Sequence, residues 1–246
     1  MARDTTDSRP IENHRQLVEW LEKGCKPKEQ WRIGTEHEKF GFYLNSLEPV
    51  PYEGPNGIEA VLEGMKQELG WEAIEDEGQI IGLFEANGQG AISLEPGGQF
   101  ELSGAPLENL HQTCRESNRH LAQVKKVATK LGIGFLGLGS SPLWRFEETP
   151  RMPKSRYAIM TNYMPKVGTR GHDMMYRTAT IQVNLDFSDE RDMVRKLQTA
   201  LKLQPLSSAL FANSPFTDGK PNGLLSWRSE VWKDVDNQRG GYHPFM

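Results

Sequence analysis

Glutamate is the residue whose placement in this chain asks for chemistry. Glu36 and Glu38 stand two apart in Gly34-Thr35-Glu36-His37-Glu38-Lys39-Phe40-Gly41, so on a strand both carboxylates share one face. Phe40 and Phe42 share it too. Like charges beside aromatic rings lose hydration and repel each other unless a cation compensates them. An edge strand with solvated charges accounts for this pair equally well. Glu95 and Glu101, in Ile92-Ser93-Leu94-Glu95-Pro96-Gly97-Gly98-Gln99-Phe100-Glu101-Leu102-Ser103-Gly104, are set among Leu94, Phe100 and Leu102. That is poor company for a solvated charge. A turn at Pro96-Gly97 brings the two onto adjacent strands, where they converge; a straight run still leaves them on one face. The bland alternative is a surface hairpin with unpaired acids.

A third segment, Thr178-Ala179-Thr180-Ile181-Gln182-Val183-Asn184-Leu185-Asp186-Phe187, alternates strictly. Ile181, Val183, Leu185 and Phe187 point one way, and Thr180, Gln182, Asn184 and Asp186 the other. Alone this reads as an amphipathic strand with one wet face. Beside Glu36, Glu38, Glu95 and Glu101, its amides Gln182 and Asn184 read as the neutral wall of a hard-cation site. Oxygen ligation suits Mg²⁺ or Mn²⁺ and not zinc, and the histidines and cysteines show no zinc spacing. Arg156, Arg170, Arg177 and Arg228 could clamp a carboxylate or phosphate, although a surface ion pair is the commoner role of any one arginine. Arg228 stands out because Trp227 and Trp232 flank it and imply partial burial. The glycines from Gly134 to Gly139 carry no Gly-Lys-Ser/Thr and no full dinucleotide fingerprint.

Helices and strands must position these groups. Apolar spacing predicts helices over 11–23, over 57–69 between an Asn56 cap and Gly70, and over 106–131 with Pro106 in its first turn. On the third, Cys114 falls on the apolar stripe and reads as core. A fourth helix begins after Ser188-Asp189 and is kinked or split at Pro205. Strand signals run over 31–44, 79–84, 91–94, 99–102, 134–138 and 178–187, with turns at Asn87-Gly88 and Pro96-Gly97-Gly98. Hairpin-like strands grouped early, with helices around them, predict α+β with an antiparallel sheet. Residues 140–177, with prolines at 142, 150, 153 and 165 and many methionines, tyrosines and arginines, read as an irregular substrate loop or lid.

Composition bounds the rest. Of 246 residues, 37% are hydrophobic and 25% charged, which supports a packed core and excludes wholesale disorder. Lys+Arg 29 against Asp+Glu 33 gives a net charge of -4, which weighs against a nucleic-acid partner. Met1 to Asp7 lack the apolar stretch of a secretory signal, and no run approaches the roughly 18 apolar residues of a membrane helix. With only Cys25 and Cys114, a soluble cytoplasmic protein is expected. The closing Tyr242-His243-Pro244-Phe245-Met246 carry no stop pattern, so the chain reads as cut short. The oligomeric state stays open, a homodimer included.

Taken together, Gly34 to Gly41, Ile92 to Gly104, Asn162-Tyr163-Met164-Pro165, Thr178 to Phe187, and Trp227 to Gly241 resemble the glutamate–cysteine ligases of the plant and proteobacterial type. The likeness runs from 11 to 246. It implies the glutamine-synthetase-like carboxylate–amine ligase fold, an antiparallel sheet forming a funnel backed by helices, here as a single incomplete N-terminal catalytic domain. It implies ATP as co-substrate, with the glutamate γ-carboxylate joined to the cysteine amine through an acyl phosphate, the first step of glutathione synthesis. By similarity, Glu36, Glu38, Glu95 and Glu101 hold metal, and Gln182 and Asn184 complete the metal or nucleotide wall. Arg156 and Arg228 grip glutamate, with Tyr157, Met164, Thr178 and Trp227 shaping its pocket. Family members run to roughly twice this length, so the 246 residues alone are expected to have little activity. The competing readings are a ligase for another amine, a metal-dependent phosphohydrolase, and a non-catalytic glutamate- or metal-binding module.

Overall fold

A computed structural model of the chain describes residues 9–86, 88 and 90–241. The termini from which the absence of a signal and the cut end were read lie outside these residues, as does Asn87 of the expected turn.

Strand β1 (Ile33–Tyr43) organises the sheet. Along a strand, the backbone groups of successive residues point to opposite edges. On one edge Ile33 and Leu107 exchange backbone hydrogen bonds, Thr35 accepts from Gly104, and β5 (Phe100–Ser103) pairs with residues 36–39. The other edge is shared end to end. There β7 (Ile181–Leu185) pairs with residues 33–37 and β6 (Ile133–Leu136) with residues 40–43. Beyond β5 the sheet continues through β4 (Ala91–Leu94), β3 (Gln79–Phe84) and β2 (Glu72–Asp76). Every ladder among these seven strands is antiparallel and the sheet stays open.

Alternation gives the sheet two unlike faces. Ile92, Leu94 and Phe100 are fully buried on one face. Helices α2 (Ile58–Leu69) and α3 (Leu110–Ala128) supply the cover, through Val61, Leu62, Met65, Val124 and Val127. Each such side chain stabilises the fold by about 1.5–3 kcal/mol relative to exposure. Ser93, Glu101 and Glu38 lie on the opposite face, where Glu101 is the register partner of both others. The helix stops follow local chemistry: Gly70 ends α2 at φ 67, a conformation glycine adopts without a Cβ clash.

Several expectations need correcting. Asn56 does not cap α2, whose N-cap is Gly57. Helix α3 starts at Leu110, because the Asn109 side chain accepts from Gln112 N–H at 3.1 Å, a stronger start signal than Pro106. Cys114 is exposed. The buried face of α3 instead carries Thr113, His120, Val124, Val127 and Ala128, and Leu110 and Leu121 point outward. Residues 140–177 are not irregular, since they contain α4 (Ser155–Tyr163) and α5 (Gly171–Arg177).

Helix α6 (Glu190–Leu210), N-capped by Asp189 as its Ser188-Asp189 start suggested, runs unsplit through Pro205. Its apolar residues Leu197, Leu203, Leu206 and Leu210 are exposed, as are Leu17, Trp20 and Leu21 of α1 (His14–Glu22). A two-stranded hairpin of β8 (Phe216–Thr217) and β9 (Lys220–Pro221) precedes α7 (Trp227–Val231). Among the described residues no helix is long and apolar enough to cross a membrane.

Candidate active site

The turn Glu95 to Gln99 joins β4 to β5 and sets the site. Glu95 N–H donates to Gln99 C=O at 3.0 Å, and Gly98 N–H to Glu95 C=O at 2.9 Å. Gln99, only 1% exposed, locks the turn against α5. Its Oε1 accepts from Gly97 N–H, and its Nε2 donates to the carbonyls of Met175 and Thr178 at 3.2 and 2.7 Å. Nothing in the spacing of acids pointed to Gln99. The Pro-Gly-Gly turn beside it was the available signal.

This turn brings Glu95 next to Glu101, and the β1–β5 register brings Glu38 opposite Glu101. Burial, with Glu95 and Glu101 as like charges nearby, pushes the Glu38 carboxyl up to about 8. Thr180 N–H, donating to Glu38 Oε2 at 3.0 Å, and the Arg228 charge oppose the rise. Burial and the neighbouring Glu101 raise Glu95 as well. Glu101 is 3% exposed and accepts from the Ser103 hydroxyl. On the other side of the sheet, burial lowers Lys39 to about 8, and its ammonium donates to His37 C=O at 2.8 Å.

Glu36 stands apart from this trio. Gln182 Nε2 and Asn184 Nδ2 donate to its two oxygens at 2.6 and 3.0 Å. The two amides, expected as a neutral wall beside all four glutamates, here bond Glu36 as a cluster of its own. Asp186, on the same strand face, is claimed by Lys26 Nζ at 2.8 Å and Arg32 N–H at 2.9 Å.

Two hollows adjoin at Glu38, Thr180 and Arg228. One, of about 150 Å³, also touches Glu95, Gln99, Thr178, Gln182 and Trp232. The other, of about 400 Å³, runs along Gly137, Gly139, Val183 and Phe211. Arg228 is half-buried, as its tryptophan neighbours implied, with Nε donating to Ala179 C=O at 3.2 Å and its guanidinium 5.5 Å from the Trp232 ring.

The remaining pocket residues scatter. Thr178 lines the smaller hollow, with its hydroxyl donating to Met174 C=O. Trp227 is buried beneath the Arg177 guanidinium. Tyr157 is buried, its hydroxyl donating to Leu94 C=O at 2.6 Å and its pKa raised by burial. Arg156 is exposed on α4, and Met164 follows that helix against Gly171. Thr180, from the expected polar face of 178–187, lines the smaller hollow, as do the α5 methionines Met174 and Met175, which had not been singled out.

The donor set of Glu38, Glu95 and Glu101 is all oxygen, and its mutual repulsion is what a hard divalent cation relieves. As folded, no three His, Cys, Asp or Glu side chains among the described residues converge to hold an ion. Binding one would require these glutamates to turn towards one another.

Comparison with known proteins gives this arrangement its context. Over 230 residues the chain is 59% identical to the chloroplastic glutamate–cysteine ligase A of Oryza sativa subsp. japonica, covering 94% of this chain and 46% of that relative. It is 60% identical to the chloroplastic glutamate–cysteine ligases of Nicotiana tabacum and Arabidopsis thaliana, covering 43% of each. The chain thus spans about half the length of the curated relatives it matches. Their chloroplastic names overturn the expectation of a cytoplasmic location, which rested on two cysteines and an absent secretory signal. Residues 32–246 match the family model of glutamate–cysteine ligase family 2, and the chain belongs to that family.

Proposed function

We propose that this chain contributes the carboxylate wall of an ATP-dependent ligase that joins the γ-carboxylate of glutamate to the amine of cysteine. The observation that carries this reading is the grouping of Glu38, Glu95 and Glu101 on one sheet face beside the half-buried Arg228. In the reaction, a γ-carboxylate oxygen attacks the γ-phosphorus of ATP, and ADP leaves. The cysteine nitrogen then attacks the acyl phosphate carbon, inorganic phosphate departs, and the amine loses a proton.

Reactants and transition states are anionic throughout, so a site of bare carboxylates would repel them. Mg²⁺, or Mn²⁺ in its place, held by Glu38, Glu95 and Glu101 would neutralise the phosphates. Arg228 supplies a fixed guanidinium, anchored by Ala179 C=O, for the glutamate carboxylate. Thr178 and Trp227 shape the pocket around it, and Gln99 holds the loop that carries Glu95. Glu36 with Gln182 and Asn184 forms the neighbouring polar wall, which would face nucleotide phosphates with a divalent cation held at Glu36. Arg156, Tyr157 and Met164 are assigned to the glutamate side of the pocket, which α4 reaches through Met160 and through Tyr157 beside Glu95. The chloroplastic names of the relatives support a plastid location for this activity.

The test measures ADP release with glutamate, cysteine and Mg²⁺, by this chain alone and by this chain joined to the part of a plant relative that it does not span. Turnover is expected from the joined protein and little or none from the chain alone. Glu38→Gln should lower the joined protein's kcat by about 10²-fold or more. Full activity of that variant would overturn the assignment.

A further inference from the structure

The apolar face of the sheet has a cavity of its own. About 520 Å³ lies between α3, the end of α2 and β5, on the side of the sheet away from Glu38 and Glu101. That volume is within the roughly 300–1,000 Å³ of small-molecule sites.

Its wall sorts by chemistry. Trp71 and Leu102 make an apolar floor. Arg115 and Arg119, one helical turn apart on α3, line it from above. Neither guanidinium has a hydrogen bond or ion pair among the described residues. Glu116, next to Arg115 in the chain, lines the same cavity. Its Oε1 accepts from Ala105 N–H at 2.8 Å, and its Oε2 is buried with no partner among the described residues. Burial raises the pKa of Glu116, Ala105 N–H opposes the rise, and Glu85 on the cavity rim reinforces it. His120, 4% exposed and stacked on Phe100, also lines the cavity, and its Nε2 is the second buried atom there without a partner among the described residues.

Buried polar atoms without partners are rare in folded proteins, because each gives up its hydrogen bonds to water without replacement. Here two of them, two unpaired guanidiniums and an indole face one volume. Paired guanidiniums suit a carboxylate. An unneutralised glutamate with an adjacent imidazole suits an ammonium group. The floor suits an apolar side chain.

We propose that this cavity binds a free α-amino acid with an apolar or aromatic side chain, carboxylate towards Arg115 and Arg119 and ammonium towards Glu116. The site is independent of the ligase reading, since none of its residues lies on the carboxylate face.

The experiment follows the methyl resonances of Leu102 and Leu107 and the Trp71 indole in the full chain. L-phenylalanine, phenylalaninamide and 3-phenylpropionate are titrated to millimolar levels. L-phenylalanine should shift these signals and bind about tenfold or more tightly than either analogue, the value of one charge-assisted hydrogen bond. The double substitution Arg115→Gln with Arg119→Gln should abolish its advantage over the amide, and Glu116→Gln its advantage over phenylpropionate. Absence of any shift in the wild-type chain overturns the proposal. So does equal binding of all three probes, or an advantage that survives both sets of substitutions.

Discussion

Single residues in this molecule are tuned by what surrounds them on each face of one sheet. His120 shows the effect most simply. Burial, reinforced by the charges of Lys39 and His37, lowers it to about 3. Because the folded pKa lies below the unfolded value of roughly 6.5, the unfolded chain binds the proton more tightly. His120 therefore removes stability as pH falls below about 6.5, by up to about 1.4 kcal/mol per pH unit. Urea unfolding of the wild type and of His120→Leu between about pH 6 and pH 4 should show the wild type losing stability more steeply by that amount. Equal slopes would mean that His120 is not held neutral. In the sequence His120 was one of several histidines without zinc spacing. Its burial depends on Phe100, which is distant in the chain, so spacing alone could not reveal it. Glu95 and Glu101 were legible for the opposite reason, since their apolar neighbours and the intervening turn are all local.

Elements were legible where pattern and capping agreed, and misread where a partner decided. The strands over 79–84 and 91–94 appear with those bounds, because runs of Ile, Leu and Ser end at turn residues. Strand β2 was missed: Glu72-Ala73-Ile74-Glu75-Asp76 has little strand propensity and pairs only because β3 offers an edge. Helices α4 and α5 were hidden by the prolines around them. The long helix keeps its course through Pro205 although the missing N–H removes a backbone bond. Close packing within the sheet is equally local. Gly82 in β3 has room for no side chain, as a Cβ there would stand 2.4 Å from Ile92 C=O on β4. Gly82→Ala should therefore part these strands and lower stability by about 2 kcal/mol or more, measured by urea unfolding. A neutral outcome would show that β3 and β4 can separate freely.

At the scale of the whole molecule, α2 and α3 cover one sheet face only in part, while β7, α1 and α6 carry apolar residues into solvent. Ile181, Val183 and Leu185 are 65%, 59% and 60% exposed. Contiguous apolar surface of this kind promotes association. The chain should bind anilinonaphthalene sulfonate and sediment in a concentration-dependent way, and replacing all three residues by threonine should weaken both effects. Unchanged dye binding would place the sticky surface elsewhere, on α6 or α1. The sharing of one β1 edge between β7 and β6 has its own consequence. Where two strands abut end to end, the ladder has a seam, and here it falls beside residues 38 and 39. In open α/β sheets, crevices form where neighbouring strands diverge. The seam is an antiparallel equivalent: the larger hollow lies where the two strands part, with Glu38 on its wall.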